Sequence, residues 1–211
     1  AHYKGKSSGS FGRIAVYSFN GNKIITTGGG GAVITQDNAV YLRLKHLSTT
    51  AKQAHPWAFL HDEVAYNYRM PNINAALGCA QLEQLPRYVA AKRALAFAYM
   101  SAFSSLQGMR VLPSPPGTQS NYWLVTLLAD HDNESWLNNN LQALHNAGLL
   151  CRPVWQPLHL LPMYCNHPRS DLSITESLAR RIISLPSSVR LGLELLSAKH
   201  QQTIPHAKIN A

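Results

Sequence analysis

Apolar and polar positions alternate over residues 13–19, RIAVYSF, and again over 31–37, GAVITQD. A period of two predicts two short strands. Between them Asn20, Gly21 and Asn22 signal a turn, and four glycines follow at 28–31. From 45 to 72 the sequence KHLSTTAKQAHPWAFLHDEVAYNYRMPN has no clean period, so it reads as a long connection of the kind that forms binding surfaces. A helical period sets in at Ile73. Ile73, Leu77, Ala80 and Gln84 lie on one stripe, widened by Leu82, Leu85 and Val89. Pro71 and Asn72 suit the start of this helix, and Pro86 is expected to kink or restart it before it runs on to Gly108.

The segment PSPPG (113–117) opens a new region. A strand is predicted over 121–128, a helix over 133–148 closed by Gly148, and a strand over 149–155. A further helix is predicted over 173–185, opened by a capping box from Ser173 to Glu176 and ended before Pro186. Residues after Leu196 carry little pattern and are expected to fray. There are no internal repeats, and the second region is of the α+β kind.

Composition narrows the class. The 211 residues can form one large domain or parts of two. No apolar run approaches the roughly 20 residues of a membrane span. The opening AHYKGKSSGSFGR has no apolar stretch behind its lysines, unlike a secretory signal. Cys79, Cys151 and Cys165 share no metal-like spacing and read as reduced thiols of a cytoplasmic protein, so no metal site is expected. The net charge of +9 is dispersed, with no basic run longer than Lys92-Arg93 or Arg180-Arg181. That argues against nucleic acid and leaves attraction to an anionic small molecule.

The chemistry centres on Lys23. The glycine run after it permits left-handed backbone and close approach, which a flexible turn alone would explain. A nucleotide phosphate loop needs its lysine after the glycines, at the start of a helix, and the order here is the reverse. A third reading is a Schiff-base lysine, fixed on a rigid element just after a strand end, with the Ser18 hydroxyl five residues earlier at that strand end as an anion anchor. Amine and hydroxyl together suit pyridoxal 5′-phosphate.

Three ordered blocks, GSFGRIAVYSFNGNKIITTGGGGAVIT (9–35), YNYRMPNINAALGCAQLEQL (66–85) and CRPVWQPLHLLPMY (151–164), resemble the DegT-type pyridoxal-phosphate sugar aminotransferases. FNGNKIITTGGGG with KHLSTTAK is most similar to the branch serving legionaminic-acid-type and bacillosamine-type sugars. The resemblance implies an α/β fold, the C-terminal part of the type I aspartate-aminotransferase architecture. Residues 1–71 would end the large cofactor-binding domain, 72–107 form linking helices, and 108–211 form the small α+β domain. It implies that Lys23 holds the cofactor, that Ser18 contacts its phosphate, and that Asn67 reaches the phosphate held by a neighbouring subunit. Arg69 would contact phosphate or substrate, or make an ordinary ion pair. His159 and Trp155 fall where the family lines its sugar site, with His46 a weaker candidate. Each of these three has an ordinary structural role as its alternative, as has Arg152. Of Tyr122 and Trp123, placed on opposite faces of a strand, at least one is expected to be packing.

The implied reaction moves an amino group from glutamate to the C4 ketone of a nucleotide-linked sugar, in bacterial surface-polysaccharide sugar biosynthesis. The implied assembly is a cytoplasmic homodimer with shared active sites. Rival readings are a dehydratase or other pyridoxal sugar enzyme, against which Lys23 argues, and an inactive fragment serving as a regulatory or partner-binding module. The family's Asp-x-x-(His, Glu or Gln) motif would lie upstream of AHYKGK, and neither Asp37 nor Asp62 stands in its place. The front half is therefore expected from elsewhere, in cis or in trans. The 211-residue chain alone is expected not to transaminate, and the helix from Ile73 onward to show uncovered apolar surface.

Overall fold

The computed structural model describes residues 1–202. In chain order the strands are β1 (His2–Tyr3), β2 (Lys6–Ser7), β3 (Ile14–Ser18), β4 (Gly31–Thr35), β5 (Met109–Val111), β6 (Thr118–Gln119), β7 (Val125–Ala129), β8 (Arg152–Pro153) and β9 (Ile182–Leu185). The helices are α1 (Asn38–Ser48), α2 (Asn72–Phe103), α3 (Glu134–Asn146), α4 (Ser173–Ala179) and α5 (Val189–Gln202). Two compact units result. One comprises Ala1–Pro86 with Gly117–Gln119, the other Arg87–Pro116 with the residues from Ser120 onward.

In the first unit β3 and β4 form an antiparallel hairpin in which Ser18 faces Gly31. A small sheet of order β2-β1-β6 lies in the same unit. The step from β4 into α1 is made by Asp37, whose carboxylate accepts from the amides of Ala39 (2.9 Å) and Val40 (3.2 Å). Those amides, the Val40 bond foremost, and the Arg13 guanidinium hold the Asp37 carboxyl below its ordinary range. Helix α1 therefore fills the residues between β4 and the stretch without a clean period, and its last four, Lys45–Ser48, run into that stretch. Val16, Val33, Ile34, Ile73, Leu77 and Leu82 are exposed in this unit, so the stripe from Ile73 does not build a core here.

The second unit holds its core on the sheet β5-β7-β9-β8. β7 is central, pairing antiparallel with β5 and β9, and Val111, Leu127 and Ile183 align across the three strands, all buried. Ala96 from α2 and Leu137 from α3 close the same cluster. Helix α3 starts as expected, with Asn133 accepting from the Trp136 amide at 3.1 Å, and Gly148 beyond it is left-handed at φ +77°. Where α2 meets α5, a Cβ on Gly192 would collide with the Ala91 carbonyl, so only glycine allows this approach.

Several expectations need correction. Pro86 does not break α2, which continues as one 32-residue helix. Its fully buried residues, Ala91, Lys92, Leu95 and Ala96, all lie in the second half, where Tyr99, Met100 and Phe103 also pack on the core. The helix expected over 173–185 stops at Ala179, because Ile182–Leu185 pairs with β7 and its β-branched residues bury in the sheet. No capping box forms at its start: Ser173 bonds Asp171, and Glu176 bonds His159. Tyr122 and Trp123 precede β7 instead of lying in it. Tyr122 is buried at φ +45° with its hydroxyl accepting from the Ser114 amide at 2.9 Å. Helix α5 runs to Gln202, past the point where fraying is expected, and residues 203–211 lie outside the described residues.

Candidate functional site

Lys23 sits in the loop joining β3 to β4, and that loop is closed on itself. The ladder continues past Ser18 as the Phe19 amide donates to Gly30 (3.0 Å). The Phe19 carbonyl accepts from the Thr27 amide (3.0 Å) and the Thr26 hydroxyl (2.9 Å). The Thr26 hydroxyl in turn accepts from the Gly28 amide (2.9 Å), and Thr27 Oγ1 donates to the Gly29 carbonyl. At the tip the Lys23 amide donates to Asn20 (3.0 Å), and the Asn20 amide reaches Ser18 Oγ (3.4 Å). Ile25 and Thr27 are buried, while Lys23 is half-buried. The lysine is thus held on a hydrogen-bonded loop rather than directly on a strand.

The glycines have separate reasons. Gly28 (φ +80°) and Gly30 (φ +91°) occupy left-handed backbone. Gly31 lies against the Tyr17 carbonyl, where a Cβ would collide. Gly29 meets open space, and nothing in the structure requires glycine there.

The loop abuts the start of α2. Asn74 Nδ2 donates to the Thr27 carbonyl at 2.6 Å, and Cβ atoms added to Gly30 and Gly78 would press on Met70 and Thr27. Beside it a cavity of about 890 Å³ is lined by Phe19, Val33, Tyr41, Tyr68, Arg69 and others of the first unit, so Arg69 faces usable space. Asn67 is exposed and lies in an isolated bridge with Thr49, at the end of α1. His46 is engaged: its Nε2 is 2.7 Å from Asp62 Oδ1 and 3.5 Å from Glu63 Oε1, and Arg43 forks onto Glu63. The hydrogen bond from His46 is the first cause that lowers the Asp62 carboxyl, and that from Arg43 lowers Glu63. Asp37 and Asp62 thus both have structural partners.

The remaining candidates belong to the second unit. His159 Nε2 lies 2.8 Å from Glu176 Oε1, with its side chain only 8% exposed. Trp155 stacks on Trp123 with ring centroids 6.0 Å apart and stays 69% exposed, so it presents a face. Arg152 donates to the Cys151 carbonyl and meets His145. Reading the sequence alone misses Arg43, Glu63, Asn74 and Glu176. Only the Arg43–His46 spacing on a helix face could have signalled any of them.

The α/β scaffold that carries this loop is shared with solved sugar aminotransferases. PseC of Helicobacter pylori, an aminotransferase involved in the biosynthesis of pseudaminic acid, superposes with a TM-score of 0.85 at 26% identity, over 93% of this chain and 54% of that one. The Spr1654 protein of Streptococcus pneumoniae, solved in a PLP-form, gives 0.80 at 25% identity, over 95% of this chain and 53% of that one. The chain belongs to the DegT/DnrJ/EryC1/StrS aminotransferase family, whose model matches residues 1–199. GDP-perosamine synthase of Escherichia coli O157:H7 is 40% identical over 197 residues, covering 91% of this chain and 51% of that protein. The chain spans about half the length of the curated relatives it matches.

Proposed function

We propose that this chain carries the lysine-bearing part of a pyridoxal 5′-phosphate-dependent aminotransferase. Its substrates are an amino acid donor, glutamate, and a nucleotide-linked sugar with a C4 ketone, in surface-polysaccharide sugar biosynthesis. The observation that carries the reading is the closed β3–β4 loop, which holds an amine, Lys23, and an exposed hydroxyl, Ser18, at one end of a hairpin. That donor pair fits an aldehyde that bears a phosphate. Family membership and the PLP-form of a similar structure point the same way.

When bound, pyridoxal phosphate supplies an electron sink for removal of the donor's α-proton. Lys23 Nζ is the amine that fixes the cofactor and the base that moves that proton, work worth about 10²–10⁴-fold. Ser18 Oγ donates to the phosphate, and Asn67 of one subunit reaches the phosphate held by the other, in a homodimer of the cytoplasm. Arg69, at its cavity, meets phosphate or the substrate's anionic groups. His159, steadied by Glu176, and the open face of Trp155 receive the sugar. His46 acts through its contacts with Asp62 and Glu63. Residues 1–71 belong to the large domain, 72–107 to the linker and 108–211 to the small domain. Turnover needs the other half of the family architecture, in the same chain or a separate one. Among the described residues no helix is long and apolar enough to cross a membrane.

Borohydride reduction after incubation with pyridoxal phosphate, followed by peptide mapping, is expected to place the adduct on Lys23. Lys23→Arg keeps the charge and loses the adduct. An adduct on another lysine overturns the assignment.

A further inference from the structure

We propose that Arg43, His46, Asp62 and Glu63 form a charged clamp that fixes the backbone carrying Asn67 and Arg69, making Arg43 and His46 positioning residues. The proposal rests on the reading that Asn67 meets a cofactor phosphate.

Arg43 and His46 are three residues apart on α1, so they project from one face near the helix end. Arg43 holds both oxygens of Glu63, with Nη2 to Oε2 at 2.6 Å and Nη1 to Oε1, in the planar fork that gives an arginine–carboxylate pair its directional strength. His46 spans both acids, and Gln53 reaches the other oxygen of Asp62 at 3.5 Å. Asp62 and Glu63 therefore cannot shift along α1 without breaking several contacts together. His46, Asp62 and Glu63 could also be read as a metal-ligating trio, but the guanidinium already occupies Glu63.

Four residues after Glu63 comes Asn67, and its flanks are bonded to the end of the same helix. The Tyr66 amide donates to Leu47 at 2.9 Å and the Tyr68 amide to Ser48 at 3.0 Å, while the Thr50 amide donates to Tyr66 at 3.0 Å. The chain leaves α1 through two consecutive non-glycine residues in left-handed backbone, Thr50 at φ +64° and the wholly buried Ala51 at φ +49°. A β-branched residue there is an outlier, and such backbone persists only where its surroundings over-determine it. Exposed ion pairs add little stability. What this network does add is register: it closes the 49–66 excursion onto the helix from which it departs, at a fixed distance from Asn67.

The test uses the full chain with Arg43→Gln, Glu63→Gln and the reversed pair Arg43→Glu with Glu63→Arg. Amide hydrogen exchange at Tyr66 and Tyr68 is expected to speed up by roughly tenfold or more in the single variants. Phe19 and Thr27, in the lysine loop, are expected to keep their rates, and the reversed pair to restore protection. Unchanged rates at Tyr66 and Tyr68, or acceleration spread equally to Phe19 and Thr27, overturn the clamp. A second readout compares binding of pyridoxal phosphate with that of pyridoxal, which lacks the phosphate. The preference for the phosphorylated form is expected to fall about tenfold in the single variants. An unchanged preference beside faster exchange overturns the positioning role. If the unaltered chain shows no preference, the phosphate reading of Asn67 fails, and the exchange rates still decide the clamp.

Discussion

The side-chain amide of Asn74 donates to the main-chain carbonyl of Thr27 at 2.6 Å, joining the first turn of α2 to the loop that carries Lys23. Thr27 is buried, so its carbonyl has few alternatives to that donor. Asn74→Leu keeps the bulk and strands the acceptor, which costs about 1–3 kcal/mol. Urea unfolding is the measurement, and borohydride trapping at Lys23 should slow in parallel. Full stability in the variant would mean that the loop closes without its helix contact.

The glycine run supplies an internal contrast. Gly31→Ala drives a Cβ into the Tyr17 carbonyl across the hairpin and is expected to destabilise by about 1–3 kcal/mol. Gly29 has no neighbour within contact and no left-handed backbone, so Gly29→Ala is expected to be neutral or to stabilise by up to about 1 kcal/mol. Equal effects in thermal unfolding would contradict the separate roles.

How much of this was legible in the sequence follows from the range of each interaction. The hairpin is local: period-two alternation, a turn and glycines all lie within residues 13–37, and β3 and β4 form there. Helix α1 was not read, because Asp37 looked like the end of a strand and Asn38–Ser48 is only weakly amphipathic; its capping contacts show its true role. The stretch 173–185 began with a plausible capping box, yet Ile182 and Ile183 are claimed by β7 from more than 50 residues away. Two-residue strands such as β1 and β6 carry no pattern and exist only through pairing across the chain. Lys23 and Ser18 lie five residues apart at one end of the hairpin and were legible. Arg43 and Glu63 are brought together by the path of the connection between them, and spacing alone does not reveal that.

His159 and Glu176, 17 residues apart, form a pair in which the histidine side chain is nearly buried. If Glu176 steadies the ring, the two residues act as a unit. A double-mutant cycle with His159→Gln and Glu176→Gln is then expected to give a coupling of about 0.5–3 kcal/mol in kcat/KM for the keto-sugar. The substrate assay uses the chain together with the complementary half of the architecture. Additive effects would return His159 to an ordinary structural role.

Lys92 is a buried cation, 3% exposed, whose ammonium donates to the Ser187 carbonyl rather than to a carboxylate. Burial pushes it down from 10.5 to about 8. Below that value it is charged in both states and the cost of burial is present in full. Between the folded and unfolded values the unfolded chain binds the extra proton, so stability rises with pH. The stability of the unaltered chain relative to Lys92→Met is therefore expected to improve from about pH 7.5 to about pH 10. Other alkaline groups titrate in both proteins and cancel in the difference. A constant or falling difference in urea unfolding would show that the ammonium is well solvated after all.

The dimer proposed for this family member makes a sharper demand. Lys23 and Asn67 are both in the first unit, but in the proposed site one subunit's Lys23 works with the other's Asn67. In a two-fold pair every site then contains one of each, drawn from different subunits. Lys23→Ala and Asn67→Ala assemblies are each expected to be inactive alone. After exchange, a mixed dimer has one site with both defects and one with neither. Random mixing makes half the dimers mixed, each with one intact site, so about a quarter of the original sites should recover. If both residues acted within one subunit, every site in the mixture would keep one defect and activity would stay absent. Exchange is verified by tagging one variant, so that silence in a demonstrably mixed sample counts against Asn67 acting across the interface.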